Sequence, residues 1–221
     1  MVRRLIRLFF CISVLLEPFY ADLYGQEGTI VFDFVNANTG IPAEKVVEIV
    51  QDQNDVIWLG GQTGLTRYNG FTVQHYKPAG GKKYTISAHQ INCLELDRNG
   101  FLWIGFANHG VDYLDIRTGR FYAISLFMSD SERDAFSKVI YDIAIDGNDR
   151  VWIAGNKGIH ILTIKEDDIE IASLIDISPS YNSQLSDSSP RVLLKDTLGQ
   201  MWIGSTRGLF VVDRNLSLIH I

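Results

Sequence analysis

Only two cysteines occur in 221 residues, and Cys11 stands inside an apolar amino-terminal run, which leaves Cys93 alone in the remainder of the chain. A lone cysteine excludes an intrachain disulfide framework and is expected as a small buried hydrophobe. Basic charge is also scarce: 20 Lys and Arg stand against 26 Asp and Glu, a formal charge of −6. No basic stripe offsets that background, which argues against contact with nucleic acid by this segment. Past residue 25 no run is long and apolar enough to cross a bilayer as a helix, and no kinase-type phosphate-binding motif occurs. Histidines show no recurring ligand spacing: His75 and His160 fall at expected strand positions and His109 in an expected turn. Asp97-Arg-Asn and Asp146-Gly-Asn have the start of a calcium loop, but neither is followed by the spaced acidic ligand such a loop requires. No metal and no cofactor is expected.

What the chain does have is a repeat. Asp52, Asp97, Asp146 and Asp196 are each followed six residues later by a tryptophan, at Trp58, Trp103, Trp152 and Trp202. The tryptophans are spaced by 45, 49 and 50 residues, the period of a small antiparallel sheet repeated around a β-propeller. The segment before each aspartate is short, apolar and rich in β-branched residues, as expected of a strand buried on both faces. Three residues after the aspartate stand Asp55, Gly100, Asp149 and Gly199, residue types that tolerate a left-handed backbone. The aspartate can accept hydrogen bonds from the amides of that turn. A second strand carries the tryptophan, whose ring can fill the wedge between blades. Glycine then opens a third strand at Gly64, Gly110, Gly158 and Gly208. The expected fold is all-β: a partial β-propeller of about four blades, each a four-stranded antiparallel sheet. Residues that recur once per blade are read as scaffold, so no catalytic residue is assigned among them.

Two regions lie outside the repeat. Arg3, Arg4 and Arg7 precede the apolar run 8–16, followed by Glu17, Pro18 and the small residues Ala21 and Gly25. This order makes 1–25 a signal peptide, with an N-terminal anchor as the alternative, and leaves 26–221 as the partial propeller. Three longer polar connections, 77–90, 125–138 and 178–190, join successive repeats and should emerge on one face, where binding usually resides. The ligand-binding candidates there are Lys82, Lys83, Tyr84, His89, Arg133 and Tyr181, weighed against a set of solvated turns.

The stretch Gly40-Ile-Pro-Ala-Glu-Lys-Val, with Val-Glu-Ile-Val-Gln-Asp52, Ile-Trp58-Leu-Gly and Gly64-Leu-Thr-Arg-Tyr68-Asn-Gly-Phe71, resembles the first blade of a two-component regulator propeller. Leu-Trp103-Ile-Gly, Val-Trp152-Ile-Ala and Met-Trp202-Ile-Gly-Ser-Thr-Arg-Gly208-Leu resemble the same repeat, so the resemblance covers roughly residues 30–213. Ala154 replaces the usual glycine, and Asn69 stands where aspartate is common. The resemblance implies the periplasmic sensor region of a hybrid two-component regulator of gut-type Bacteroidetes, one that senses glycan fragments to regulate transcription. It implies a longer protein, anchored in the inner membrane, with the remaining blades of a circle of seven, a second propeller, an immunoglobulin-like domain and a histidine kinase core. It also allows a homodimer of that protein. On this reading the segment itself is not an enzyme, its partner is an oligosaccharide, and strand 30–34 completes the final blade. The four blades of this segment would then form an open arc with two exposed sheet surfaces.

A second reading is a secreted propeller enzyme, lyase- or sialidase-like, or a lectin. Streptogramin-inactivating lyases use a similar Asp, Gly and Trp repeat; the Asp-box of sialidases has an aspartate-to-tryptophan spacing one residue shorter. The near-uniform apolarity of the inner strands, with Glu48, Glu95 and Arg191 as exceptions at non-equivalent positions, weighs against a catalytic centre there.

Overall fold

Each tryptophan sits on the second strand of a four-stranded antiparallel sheet. The structure is a computed structural model that describes residues 40–41, 45–80, 82–165, 168–173, 188–212 and 218–220, all within the unit Asn36–Ile221. The signal segment 1–25, strand 30–34 and Tyr181 lie outside the described residues.

Blade I comprises β1 (Val46–Gln51), β2 (Ile57–Gly61), β3 (Gly64–Tyr68) and β4 (Val73–Tyr76). Blade II comprises β5 (Ile91–Leu96), β6 (Phe101–Phe106), β7 (Val111–Asp115) and β8 (Arg120–Ala123). Blade III follows with β9 (Ile140–Ile145), β10 (Arg150–Gly155), β11 (Gly158–Lys165) and β12 (Asp168–Ser173). Blade IV has β13 (Pro190–Lys195), β14 (Met201–Ser205), β15 (Gly208–Val212) and β16 (Leu218–His220). Every sheet is a simple meander, and the first strands β1, β5, β9 and β13 neighbour one another in sequence, as the inner edges of propeller blades do. The described blades form no closed circle.

The hairpin between the first two strands explains the spacing of six. Asp52 Oδ1 accepts the amides of Asn54 at 2.8 Å and Val56 at 3.1 Å, while Oδ2 accepts the Trp58 indole N–H at 2.9 Å. Asp97 repeats this with Asn99, Phe101 and Trp103, at 2.8, 2.9 and 3.2 Å. Asp146 does so with Asn148, Arg150 and Trp152, and Asp196 with Gln200 and Trp202. In blades I to III one buried carboxylate thus closes the turn and satisfies the indole donor that would otherwise be orphaned in the core, and in blade IV a half-buried Asp196 does the same for a half-buried Trp202. The third turn residue is left-handed in all four blades, with φ of 60° at Asp55, 83° at Gly100, 58° at Asp149 and 78° at Gly199.

The clamped indoles fill the wedges between blades. Trp58 packs with Ile91, Leu94 and Ile104 of blade II; Trp103 with Ile140, Ile143 and Val151 of blade III; Trp152 with Leu193, Met201 and Ile203 of blade IV. Trp202 has no following blade among the described residues and is only half-buried. The first strands differ for the same reason. Those of blades II and III are largely buried, but Val47 and Ile49 on β1 are 42% and 59% exposed, and Val192 and Leu194 on β13 are 57% and 62% exposed. The expectation of burial on both faces therefore fails at the two end blades, where one face of each sheet has no neighbour among the described residues.

A further departure lies in connection 125–138, read from sequence as a polar loop. It contains a 3-10 turn, Ile124–Phe127, and a short helix α1, Asp130–Ala135. Ser129 caps α1 and Glu132 reaches back to the Ser129 amide at 2.7 Å, a reciprocal capping box that lets six residues hold a helix.

Candidate functional site

The turns between second and third strands, together with the blade-to-blade connections, bound a cleft of about 570 Å³ at blades II and III. One side is the β6–β7 turn, Asn108, His109 and Gly110; the other is the connection with Ser125, Asp130, Arg133, Asp134, Ser137 and Lys138. Its floor is apolar: Val111, Ile124, Met128 and Phe136 are all buried in the core between the two blades. A polar rim of both signs over a hydrophobic floor, at this volume, is the ordinary construction of a small-ligand site.

Backbone bonds hold the rim. The Gly110 amide donates to the Lys138 carbonyl at 2.9 Å, and Asn156 Oδ1 accepts the amides of Lys138 and Val139 at 3.2 and 3.1 Å. Lys157 Nζ donates to the Asp134 carbonyl. Beneath the wall lies His160, only 4% exposed, whose ring centroid is 4.4 Å from that of Phe136. His160 Nε2 accepts the Ser137 amide at 3.2 Å and lies 3.0 Å from the Ser137 hydroxyl oxygen.

His160 stands two residues after Gly158, the glycine that opens its third strand. The equivalent position of blade II holds Asp112, fully buried, which accepts the Ser87 amide at 2.8 Å and the Ser87 hydroxyl at 2.9 Å. Burial pushes the Asp112 carboxyl up to about 6, against the opposing effect of the two Ser87 bonds. Thus the connections into blades II and III are each pinned through a serine to a buried polar group on the third strand. Sequence reasoning missed both pins. The available signal was a polar residue two positions after the glycine at the start of the third strand, Asp112 after Gly110 and His160 after Gly158, paired with a serine three or four residues before the inner strand of the same blade.

Of the sequence candidates, Arg133 lines the cleft, ion-paired to Asp130 at 2.9 Å. Lys82, Lys83, Tyr84 and His89 are exposed on connection 77–90 and do not line it. Tyr84 adopts φ of 61°, sets its ring edge-on to Tyr122 with centroids 5.4 Å apart, and lies under the Arg120 guanidinium at 5.1 Å.

The inner strands are less apolar than their sequence suggested. Glu95 is pushed up to about 7 by burial and then by Asp142, with Lys195 opposing and Glu48 adding. Asp142, which the sequence reading passed over, is raised by burial although it accepts the Leu193 amide of blade IV at 2.7 Å. Cys93 is buried and its thiol is raised, first by burial and then by Asp142 and Glu48. The five histidines of the described elements sit elsewhere, on β4, a connection, the β6–β7 turn, β11 and β16. Among the described residues no group of three or more His, Cys, Asp and Glu side chains is arranged to hold a metal ion.

Residues 85–108, which span the Asp97–Trp103 clamp, match the family model described as two component regulator propeller. The extracellular domains of two proteins assigned as hybrid two component systems from B. thetaiotaomicron share the fold. One has a TM-score of 0.64 at 20% identity over 88% of this chain, the other 0.65 at 19% over 87%. The chain spans about a quarter of their length, 25% and 27%. Virginiamycin B lyase from Staphylococcus aureus is also similar, with a TM-score of 0.58 at 14% identity over 82% of this chain and 56% of the lyase. No sequence among curated proteins matches this one. The chain has the propeller fold of these ectodomains, and within it residues 85–108 carry the two component regulator propeller repeat.

Proposed function

We propose that this chain is part of the extracytoplasmic ligand-sensing propeller of a hybrid two-component sensor histidine kinase, and that it binds an oligosaccharide in the cleft between the β6–β7 turn and the α1 connection. The observation that carries the reading is the cleft itself, with its charged and amide-bearing rim over an apolar floor. Sugars present both kinds of surface, hydroxyls for the rim and C–H faces for the floor. Similarity to the extracellular domains of proteins assigned as hybrid two component systems supports the sensing role. The longer protein would be exported, anchored in the inner membrane and completed by further blades, a second propeller and a kinase core, with this segment doing no chemistry. Binding regulates output by favouring whichever signalling state presents the better-formed cleft, and only differential affinity for the two states shifts their populations.

The likeness to the lyase is one of fold. A lyase-type site would gather a histidine with acidic groups, whereas Glu48, Glu95 and Asp142 lie on inner strands that carry no histidine. Calorimetric titration of the 221-residue chain against an oligosaccharide panel tests the proposal. A saturable heat is expected from at least one sugar, and Arg133→Ala should weaken it by at least about tenfold, the effect of losing one charge-assisted hydrogen bond. Heat from no sugar, or heat indifferent to Arg133, would count against it.

A further inference from the structure

His160 is buried, and it touches the cleft wall twice: through Ser137 by hydrogen bonding and through Phe136 by ring contact. Its bonding pattern determines the state of Nε2. The Ser137 amide can only donate. The Ser137 hydroxyl oxygen accepts the Lys157 amide at 2.9 Å, which leaves the hydroxyl proton free to point at the imidazole. Two donors converging on one ring nitrogen require a lone pair there, so the ring is neutral, with its proton on Nδ1.

We propose that His160 is a positioning residue of the cleft, holding the Phe136–Ser137 wall through an unprotonated Nε2, so that acidification releases the wall. A proton on Nε2 faces the Ser137 amide with a second donor and removes the only acceptor the structure gives that amide. The hydroxyl can turn to accept from the charged ring, but the backbone N–H cannot. Histidine is the side chain that changes charge between neutrality and mild acid. The charged and titratable residues on the elements next to His160 are Asp130, Glu132, Arg133, Asp134 and Lys138 on the connection, Lys157 in the β10–β11 turn, His109 in the β6–β7 turn, Arg150 on β10, Lys165 on β11, and Asp168 and Glu170 on β12. Strand β12 places Ser173 opposite His160 in register. Asn156 and Gly110 secure the wall at Lys138 whatever the charge of the ring, so release is local to residues 136–137. A functional consequence, acid-weakened binding, rests on the cleft being the ligand site; the latch itself does not.

Amide hydrogen exchange, corrected for intrinsic rates, tests the latch without any ligand. In the wild-type chain, protection of the Ser137 amide should fall about tenfold between about pH 8 and about pH 5, the equivalent of one hydrogen bond, while Ile104 inside β6 stays protected. In His160→Gln, whose amide oxygen can accept but does not titrate in this range, the Ser137 amide should keep the same protection at both pH values. An equal pH response in both proteins, or none in the wild type, overturns the proposal. Should the variant not fold, NMR titration of the wild type decides: the His160 ring and the Ser137 amide must share one midpoint, and separate midpoints refute the coupling. A working latch in a chain that binds no sugar would sink the proposed function and leave this inference standing.

Discussion

Glu95 gives a prediction whose sign depends on pH. Its carboxyl stands on β5 with Asp142 and Glu48 as like-charged neighbours and Lys195 as the opposing charge. Burial, first, and Asp142, second, raise it from 4.5 to about 7. A carboxyl raised on folding binds its proton more tightly in the native state than in the unfolded chain. Its contribution is therefore fully present below the unfolded value and is lost as pH rises toward about 7. The shift corresponds to a ceiling of about 3 kcal/mol, and the partial solvent contact of the group reduces this to about 1–2 kcal/mol. Glu95→Gln keeps the shape of the protonated acid and cannot ionise. It should stabilise the chain by about 1–2 kcal/mol at about pH 8 and leave it within about 0.5 kcal/mol at about pH 4.5. Urea unfolding followed by tryptophan fluorescence reads both, as a shift in midpoint at unchanged slope. Equal effects at the two pH values, or destabilisation at the higher one, would refute the picture of an ionised carboxyl held at a cost among the inner strands.

Other perturbations test the blade architecture. Asp97→Ala removes the acceptor of two amides and the Trp103 indole, leaving a fully buried donor, and should cost about 3–5 kcal/mol by urea unfolding; a cost below about 1 kcal/mol would show that the turn does not need its carboxylate. Trp103→Ala should cost about 3–5 kcal/mol, and Trp202→Ala clearly less because that ring is half-buried. A methyl added at Gly105 would stand 2.7 Å from Ile140 Cγ2 and against Cys93 Sγ, whereas at the equivalent Gly204 its nearest neighbour is 3.6 Å away. Gly105→Ala should therefore destabilise by about 1–3 kcal/mol and Gly204→Ala by less than about 0.5 kcal/mol in thermal or urea unfolding.

Local chemistry made the blades legible. Asp55, Gly100, Asp149 and Gly199 announce left-handed turn positions through residue type alone, and each is left-handed in the structure. The Asp-to-Trp bond was harder to see. Six residues separate two side chains that read separately as turn former and wedge filler, and only the hairpin register brings indole and carboxylate together. Helix α1 hid because six residues give no helical period, although Ser129 and Glu132 spell its capping box. Exposure of Ile49 and Leu194 follows from which blades have neighbours, something no strand's own sequence encodes.

The cleft was legible only in outline. Connection 125–138 and Arg133 stood out as loop and charge, but the opposing wall comes from 108–110, and the two meet only through the packing of blade II on blade III. His160 and Asp112 are polar residues within partly apolar strands. That they face the preceding connection, and not solvent, is settled by strand register and the path of the chain between blades.

The most direct test of the account is a hydrogen-exchange footprint of the chain with a mixed oligosaccharide pool. The account predicts slowed exchange in the β6–β7 turn at residues 108–110 and across the α1 connection at 128–138, with the rest of blades II and III unchanged. Slowing confined to residues 82–89, or no slowing in any segment, would contradict it.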